Sequence, residues 1–259
     1  MYKAKFVSGE NVFWLGTENN LVFDISDLSG NDIELGLSQG VSQIGQTVDR
    51  MSIGGSTLTI KGVIYDDVQN GKMALRHAFA PFKEGTLYFD EYYIYVVVRH
   101  SPTFSPKKDN GSFQLQLFAP YPFWRSVANN VTTLSTGSTE TNVVNNGDIE
   151  VPYSVKIYSD STSTDVTITN TGTGEKLALV GAINSGDTIE IYRDKNNIIR
   201  AEKTASGTTT DAISMIDEDS DLWTVHVGDN VYTATDDEGG SDLHVIIEYN
   251  EAVGGVYEY

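Results

Sequence analysis

Carboxylates at alternate positions are the arrangement in this sequence nearest to a chemical motif. Asp217-Glu218-Asp219-Ser220-Asp221 spaces its acids as a calcium-binding loop does. Such a loop also needs Gly at its sixth position for a sharp turn and a bidentate Glu at its twelfth. Those positions hold Leu222 and Gly228, so the pattern fails where the geometry is strictest, and the run reads as a solvated turn. Asp236-Asp237-Glu238-Gly239-Gly240 reads the same way. The four histidines, His77, His100, His226 and His244, form no H-E-x-x-H pair, and no G-x-S-x-G elbow occurs. Paired carboxylates are plentiful, as an acidic chain dictates, but no pair is singled out for the separated pKa values that glycoside hydrolysis requires. No catalytic residue, metal ligand or cofactor site is assigned, and the expectation is a protein that is not an enzyme.

Stacking on sugar rings is the other chemistry the side chains offer. Tyr192, Tyr232, Tyr257 and Tyr259 are candidates for exposed aromatics, whereas Trp223 shares a face with Val225 and Val227 and is assigned to a core. Nothing in the spacing marks a platform. Cysteine is absent, which removes disulfides, thiolate nucleophiles and Cys-ligated zinc. The net charge of -19 is unevenly placed: residues 1–125 carry 11 Lys and Arg against 13 Asp and Glu, residues 126–259 carry 6 against 23. The second half should therefore repel free nucleic acid, and no basic patch interleaved with aromatics appears. No window approaches the ~20 apolar residues of a membrane helix, and the N-terminus has no signal-peptide pattern.

These side chains are positioned by elements that are almost all strands. Val12–Leu15 and Leu21–Ile25 are short apolar runs, followed by a Gly-, Ser- and Gln-rich stretch from Gly36 to Ser56 with few large apolar anchors. Segments of that kind inside a compact domain are usually functional or mobile, and this one is read as an arm or belt reaching a neighbouring subunit. Thr57–Tyr65 reads as a strand, with Gly62 suggesting a bulge. A helix is predicted over about 70–82, limited by Pro81, with Met73, Ala74, Leu75, Ala78, Phe79 and Ala80 on a broad apolar side and Lys72, Arg76 and Lys83 giving it a basic, wet face. Leu87–Asp90 and Tyr92–Arg99 form a hairpin whose second strand is central. Phe113, Leu115 and Leu117 alternate with glutamines into the corner Ala119-Pro120-Tyr121-Pro122-Phe123.

Beyond the corner, residues 126–147 read as a linker with one or two weak strands. Apolar alternation then recurs at Val151–Ile157, Val166–Ile168, Leu177–Leu179, Ile189–Ile191, Trp223–Val227 and Leu243–Tyr249, with Asp194-Lys195-Asn196-Asn197 a hairpin turn. The fold expected is mainly β in two domains. The first, residues 1–127, is a β-sandwich or split-barrel-like body with one helix and the arm. The second, residues 128–259, is an acidic antiparallel sandwich.

The order of several motifs resembles the distal tail proteins of phages with long, non-contractile tails. The Gly62-containing strand comes first, then Leu75-Arg76-His77-Ala78-Phe79-Ala80-Pro81, then Gly85-Thr86-Leu87 and a long hairpin. The Pro-aromatic corner follows, with Asn146-Gly147-Asp148, Ile183-Asn184-Ser185-Gly186-Asp187 and Gly228-Asp229-Asn230 after it. This resemblance implies a ring, hexameric, whose first domain surrounds a channel and whose second is a galectin-like sandwich projecting outward. It implies as partners the tail tube protein, a tail-associated hub, lysin or fibre protein, and receptor-binding proteins at the periphery. It implies residence in the virion tail tip after synthesis in the host cytoplasm. Segment 36–56 and the hairpin around 85–99 are the candidate ring contacts. A second reading from the residues is a lectin-like carbohydrate-binding module for host attachment.

Overall fold

The computed structural model describes residues 4–256 except 27, 29–32, 40–43, 45–46, 108, 135–136, 195–197, 222 and 238–241. The chain divides into two units, residues 1–127 with 253–259 and residues 128–252. It is mainly β, with one α-helix among the described residues.

Alternation of apolar and polar residues builds the first unit. Its strands are β1 (Ala4–Ser8), β2 (Asn11–Leu15), β3 (Leu21–Ser26), β4 (Ile33–Ser38), β5 (Thr47–Ile53) and β6 (Ser56–Ile64), then, after helix α1 (Val68–Ala78), β7 (Glu84–Phe89), β8 (Tyr92–Phe104), β9 (Ser112–Ala119) and β10 (Trp124–Ser126). The main sheet runs β2-β1-β7-β8-β9-β6-β3, all antiparallel, with β10 pairing β8 through Arg125 and Tyr93. Its buried face carries Phe6, Leu15, Leu58, Ile60, Leu87, Ile94, Val96, Leu115 and Leu117. Helix α1 lays Leu75 and the following Phe79 on that face, where Phe79 stacks on Phe6 at 4.8 Å and meets Phe13 edge-on at 5.7 Å. Trp124, past the Pro-aromatic corner, is buried beside Phe89. The chain end returns here: Val253 and Val256 pack on this core, and the Val256 N–H donates to the Leu28 carbonyl.

Readings of the Gly62 strand and of the helix in this half change. Gly62 is in regular register between Phe23 and Phe113, not in a bulge; a Cβ there would lie 2.4 Å from the Val22 carbonyl oxygen and 2.7 Å from the Phe113 ring, so the glycine serves close approach. The helix is Val68–Ala78 and ends before Phe79, earlier than residue 82. Its faces also differ: Met73 is exposed, whereas Lys72 is buried, its ammonium donating to the Lys107 carbonyl and lying over the Phe104 ring. A lysine lets its stem run along apolar surface with the charge at a polar exit, which a sequence count of charges assigns to solvent.

The second unit contains β11 (Asn130–Leu134), β12 (Gly137–Asn145), β13 (Val151–Pro152), β14 (Ser154–Ser159), β15 (Ser163–Thr164), β16 (Thr167–Asn170), β17 (Lys176–Ala178), β18 (Ala182–Ile183), β19 (Thr188–Arg193), β20 (Ile199–Ala205), β21 (Thr208–Asp211), β22 (Thr224–Val225), β23 (Gly228–Thr235) and β24 (Leu243–Tyr249). Six strands form one sheet, β11-β24-β14-β19-β20-β21, and four form another, β12-β23-β16-β17. Their buried residues alternate along each strand: Val155 and Ile157, Ile189 and Ile191, Val245 and Ile247 in the first, Tyr232 and Ala234, Ile168, Leu177 in the second. This is the two-layer solution for strands with one apolar face.

The stretch 126–147 holds two strands, as many as the reading of one or two weak strands allowed, but it is not a linker: it supplies an edge strand to each sheet, held by Leu134 and Val143. Its Asn, Thr and Ser content hides it, because an edge strand needs few buried side chains. Trp223–Val227 is likewise not one strand: Val225 is buried, Val227 exposed, and the longer strand begins at Gly228. The turn residues 195–197, and 238–240 of the Asp236 turn, lie outside the described residues.

Candidate functional site

The family-like motifs of the second unit contain or adjoin polar staples that satisfy turning backbone, the residue just before Asn146-Gly147-Asp148 among them. Asn145, fully buried, donates through Nδ2 to the carbonyls of Ile149 (2.9 Å) and Val225 (3.1 Å) and accepts from the Gly147 N–H. Gly147 sits so close to Ala252 that a Cβ would lie 2.5 Å from its carbonyl oxygen. Asn230, 2% exposed, donates to His226 and Gly228 carbonyls and accepts from the His226 N–H and from Asn170 Nδ2. In the 183–187 loop the Asp187 carboxylate accepts from Lys203 (2.9 Å) and from both nitrogens of Asn184; the Lys203 bond is the main reason its pKa is lowered, against the opposing pull of burial. Buried backbone groups must be paired, and these side chains pair them where the ladder stops.

His226 belongs to the same end of the unit. Its Nδ1 lies 2.7 Å from Glu150 and its Nε2 2.5 Å from Glu175, so two loops are joined through one ring. The bond to Glu175, then that to Glu150, raises the histidine's pKa despite partial burial. The carboxylates lie on opposite edges of the ring, so they do not converge on a metal position. The other histidines are apart from it: His77 and His100 are exposed in the first unit, and His244 stacks on Tyr158 at 4.7 Å with Nε2 3.0 Å from Asp160. No group of three or more His, Asp or Glu among the described residues is arranged to hold a metal ion.

Asp217–Asp221 is a turn strapped to β17. Asp217 and Asp221 N–H groups donate to Ala178 and Lys176 carbonyls, Ser220 exchanges bonds with Ala178, and Asp221 accepts from the Lys176 N–H. Of the aromatic candidates, Tyr232 is fully buried rather than exposed, and burial pushes its pKa up. Trp223 is half-buried. Tyr192 is half-buried on the outer face of β19, donating to Glu202 at 2.9 Å. Tyr257 and Tyr259 lie outside the described residues.

Segment 36–56 is a ribbon instead of a structureless loop: β4 and β5 pair from Ile33↔Ile53 to Ser38↔Thr47. Leu37 and Val48 face each other across it, and both are about half exposed, as is Ile53. A second exposed apolar group is Phe82, 90% exposed with φ +62°. A left-handed backbone at a bulky residue is costly and persists only where its surroundings impose it. In the 84–99 hairpin, Tyr95 donates to Glu84, and burial with that carboxylate pushes the phenol up to about 12. No described helix is long and apolar enough to cross a membrane.

Comparison with known proteins fits this geometry. Residues 146–252 match the family model SPP1_Dit, described as "Siphovirus-type tail component, C-terminal domain". No curated protein matches the chain in sequence. Among solved structures, the crystal structure of the phage SPP1 Dit protein, titled a paradigm of hub adsorption apparatus in phages infecting Gram-positive hosts, aligns with a TM-score of 0.76 at 13% identity over 97% of this chain and 99% of that one. A chain of the phage P2 baseplate in its activated conformation with Ca aligns at TM-score 0.53 and 12% identity, covering 99% and 100%. The corresponding Sr structure gives 0.53 and 12%, covering 96% and 98%. The second unit therefore carries the C-terminal domain of siphovirus-type tail components, and the chain as a whole has the fold of a siphophage distal tail protein.

Proposed function

We propose that this protein is a structural component of a virion that forms a ring, six copies round, at the distal end of a long non-contractile tail. In that place it joins the tail tube to the tip hub or baseplate and to the receptor-binding machinery. The observation that carries the reading is the likeness to SPP1 Dit over essentially the whole of both chains, combined with the sequence match confined to residues 146–252.

The physics of the first unit supports self-assembly. A closed ring of identical subunits uses heterologous contacts, a different patch on each side. The β4–β5 ribbon turns Leu37, Val48 and Ile53 outward, and a two-stranded ribbon is marginal in water without a surface to lie on. A neighbouring copy is such a surface. Phe82, presented on a strained turn, is a second anchor of the kind that interfaces use. The surplus acid of residues 126–259 disfavours adhesion to DNA, consistent with a body on the outside of a channel.

Negative-stain imaging and native mass spectrometry of the purified full chain test the reading. Six-fold annuli with an open centre are expected. A species that stays monomeric at all concentrations, and does not assemble with tail tube or hub protein, would rule the ring out. Excision of residues 33–53 should leave monomers with both units folded; unchanged annuli would remove the ribbon from the interface while leaving the ring itself standing.

A further inference from the structure

The outer face of the six-stranded sheet holds a concavity that is not among the ring contacts proposed for the first unit. Strands β19, β20 and β21 bound a cavity of about 400 Å³ lined by Tyr192, Asp194, Arg200, Glu202, Thr209 and Asp211, among others. The register explains the gathering. Tyr192 pairs with Arg200, and Glu202 pairs with Asp211, so all four side chains leave the sheet on the side opposite buried Ile189, Ile191 and Ala201. Volumes of a few hundred Å³ are those of small-molecule sites.

The side chains are held in place before any ligand arrives. The Tyr192 hydroxyl donates to Glu202 at 2.9 Å, which fixes the ring's direction. Asp194 Oδ2 accepts from Arg200 Nε and Nη2, both at 3.0 Å, which fixes the guanidinium plane. Those bonds leave unused capacity on each wall. Arg200 keeps further N–H donors, Glu202 keeps its second oxygen, and Asp211, whose Oδ1 accepts from the Ile213 N–H, keeps Oδ2. Thr209 adds a hydroxyl at 2.9 Å from that of Thr204.

The charge pattern selects the occupant. Three carboxylates against one guanidinium repel an anion. The guanidinium is paired with Asp194, so Glu202 and Asp211 still attract a cation, and titration with methylammonium separates that occupant from a neutral one. What favours a neutral occupant is the mixture of acceptors and donors: vicinal hydroxyls donate to the carboxylates and accept from Arg200 or Thr209, so they use both sides of the wall, where a cation uses only one. An aromatic ring beside such donors and acceptors suits the C–H face of a pyranose. We propose that the cavity bounded by Tyr192, Arg200, Glu202 and Asp211 is a binding subsite for a neutral saccharide ring. The contact is shallow and limited to one ring, so its Kd is expected on the order of 1 mM. Glycan on a cell surface, met by several copies at once, would raise this through avidity.

The test uses the full-length protein and does not depend on ring formation. Isotope-labelled protein is titrated with glucose, galactose, rhamnose and N-acetylglucosamine, and separately with methylammonium and with inorganic phosphate. The expected result is saturable shifts of the amides of β19–β21 with at least one sugar and none with phosphate. Tyr192→Ala should weaken the response by more than about tenfold, and Tyr192→Phe, which keeps the ring face, should retain most of it. Sharp spectra outside β19–β21 confirm that each variant is folded. Silence towards every sugar, shifts mapping to another surface, a response to methylammonium alone, or equal binding by Tyr192→Ala would each overturn the proposal.

Discussion

The two units are both antiparallel β structure, yet the sequence match covers residues 146–252 while the first unit agrees with its relatives through fold. The difference lies in how each unit satisfies itself. The first relies on a broad apolar face: Phe6, Phe79, Leu87, Val96, Leu115 and Trp124 are all nearly inaccessible, and many apolar side chains of similar volume serve such positions. The second relies at its turns on particular polar side chains, Asn145, Asn170, Asp187 and Asn230, each aimed at named backbone groups. No apolar substitute makes those bonds. Specific chemistry leaves a readable sequence pattern; generic packing leaves a fold.

The largest effect that sharpens this contrast is expected in the first unit. Phe79→Ala removes a ring that stacks on Phe6 and touches Phe13, and leaves a cavity under α1. Buried Phe-to-Ala changes cost about 3–5 kcal/mol. Urea unfolding followed by the fluorescence of Trp14 and Trp124 should show that loss. A conservative Phe79→Leu should recover more than half of it, because volume and not chemistry is what the position requires. Equal damage from both variants would break the contrast from one side.

Asn230→Ala tests the other side. It deletes the acceptor of the His226 N–H and the donor to two carbonyls, at a site 2% exposed. Each neutral bond is worth about 1 kcal/mol, and stranded buried partners add to the cost, so a loss of about 2–3 kcal/mol is expected. Here the near-isosteric Asn230→Leu should be no better than alanine. Rescue by leucine, measured by thermal unfolding of residues 128–252 through their amide resonances, would show that the second unit packs as generically as the first.

The same distinction sets what could be read from the sequence. Strands with strict alternation, Leu243–Tyr249 and Phe113–Leu117, were legible because one buried face is enough to declare them, whereas the run Val151–Ile157 is split at Tyr153 into β13, paired with β22, and β14 of the six-stranded sheet. Edge strands β11 and β12 were legible only as one or two weak strands of a linker, since Leu134 and Val143 are nearly their only large buried side chains among the described residues. The arm was visible as an anomaly in composition, but its pairing was not, because its described side chains, Leu37, Ser38, Val48 and Asp49 among them, are exposed on both faces and leave no face to mark. Lys72 looked wet because a formal charge conceals a stem that can be buried. The turn motifs were noticed as patterns, while the staples in and beside them need neighbours distant in sequence: Asn230 accepts from Asn170, and Asn145, just outside its motif and not singled out, reaches Val225. The Tyr192 cavity needs three strands in register, which no local spacing encodes.

His226 gives a smaller effect, and it ties the stability of the second unit to pH. Its pKa is raised in the folded protein by Glu175 and Glu150. The stabilisation is therefore fully present below the unfolded histidine value near 6.5 and is lost as pH rises through the raised folded value. Discounted for the exposure of Glu150, it is on the order of 1 kcal/mol. Melting of the second unit should fall across that window in the native chain and be flatter in His226→Gln. A slope unchanged by His226→Gln would locate the pH response elsewhere.

The smallest effect concerns charge without burial. Across the outer face of the six-stranded sheet, Lys156, Glu190, Glu202 and Asp211 occupy one row of partners. Only the first pair is of opposite sign, with Lys156 Nζ 3.4 Å from Glu190 and both side chains about half exposed. Such an exposed pair contributes little, and Glu190 directly opposite Glu202 is a like-charge pair that costs a similar amount. Glu190→Gln removes both at once, so its net effect on stability should stay within about 0.5 kcal/mol. Salt should then matter more than the mutation: the native chain gains stability on raising ionic strength as the acidic row is screened, and the variant gains less. If Glu190→Gln instead costs as much as Asn230→Ala, surface charge is as specific a determinant of this unit as its buried amides, and the division drawn between them fails.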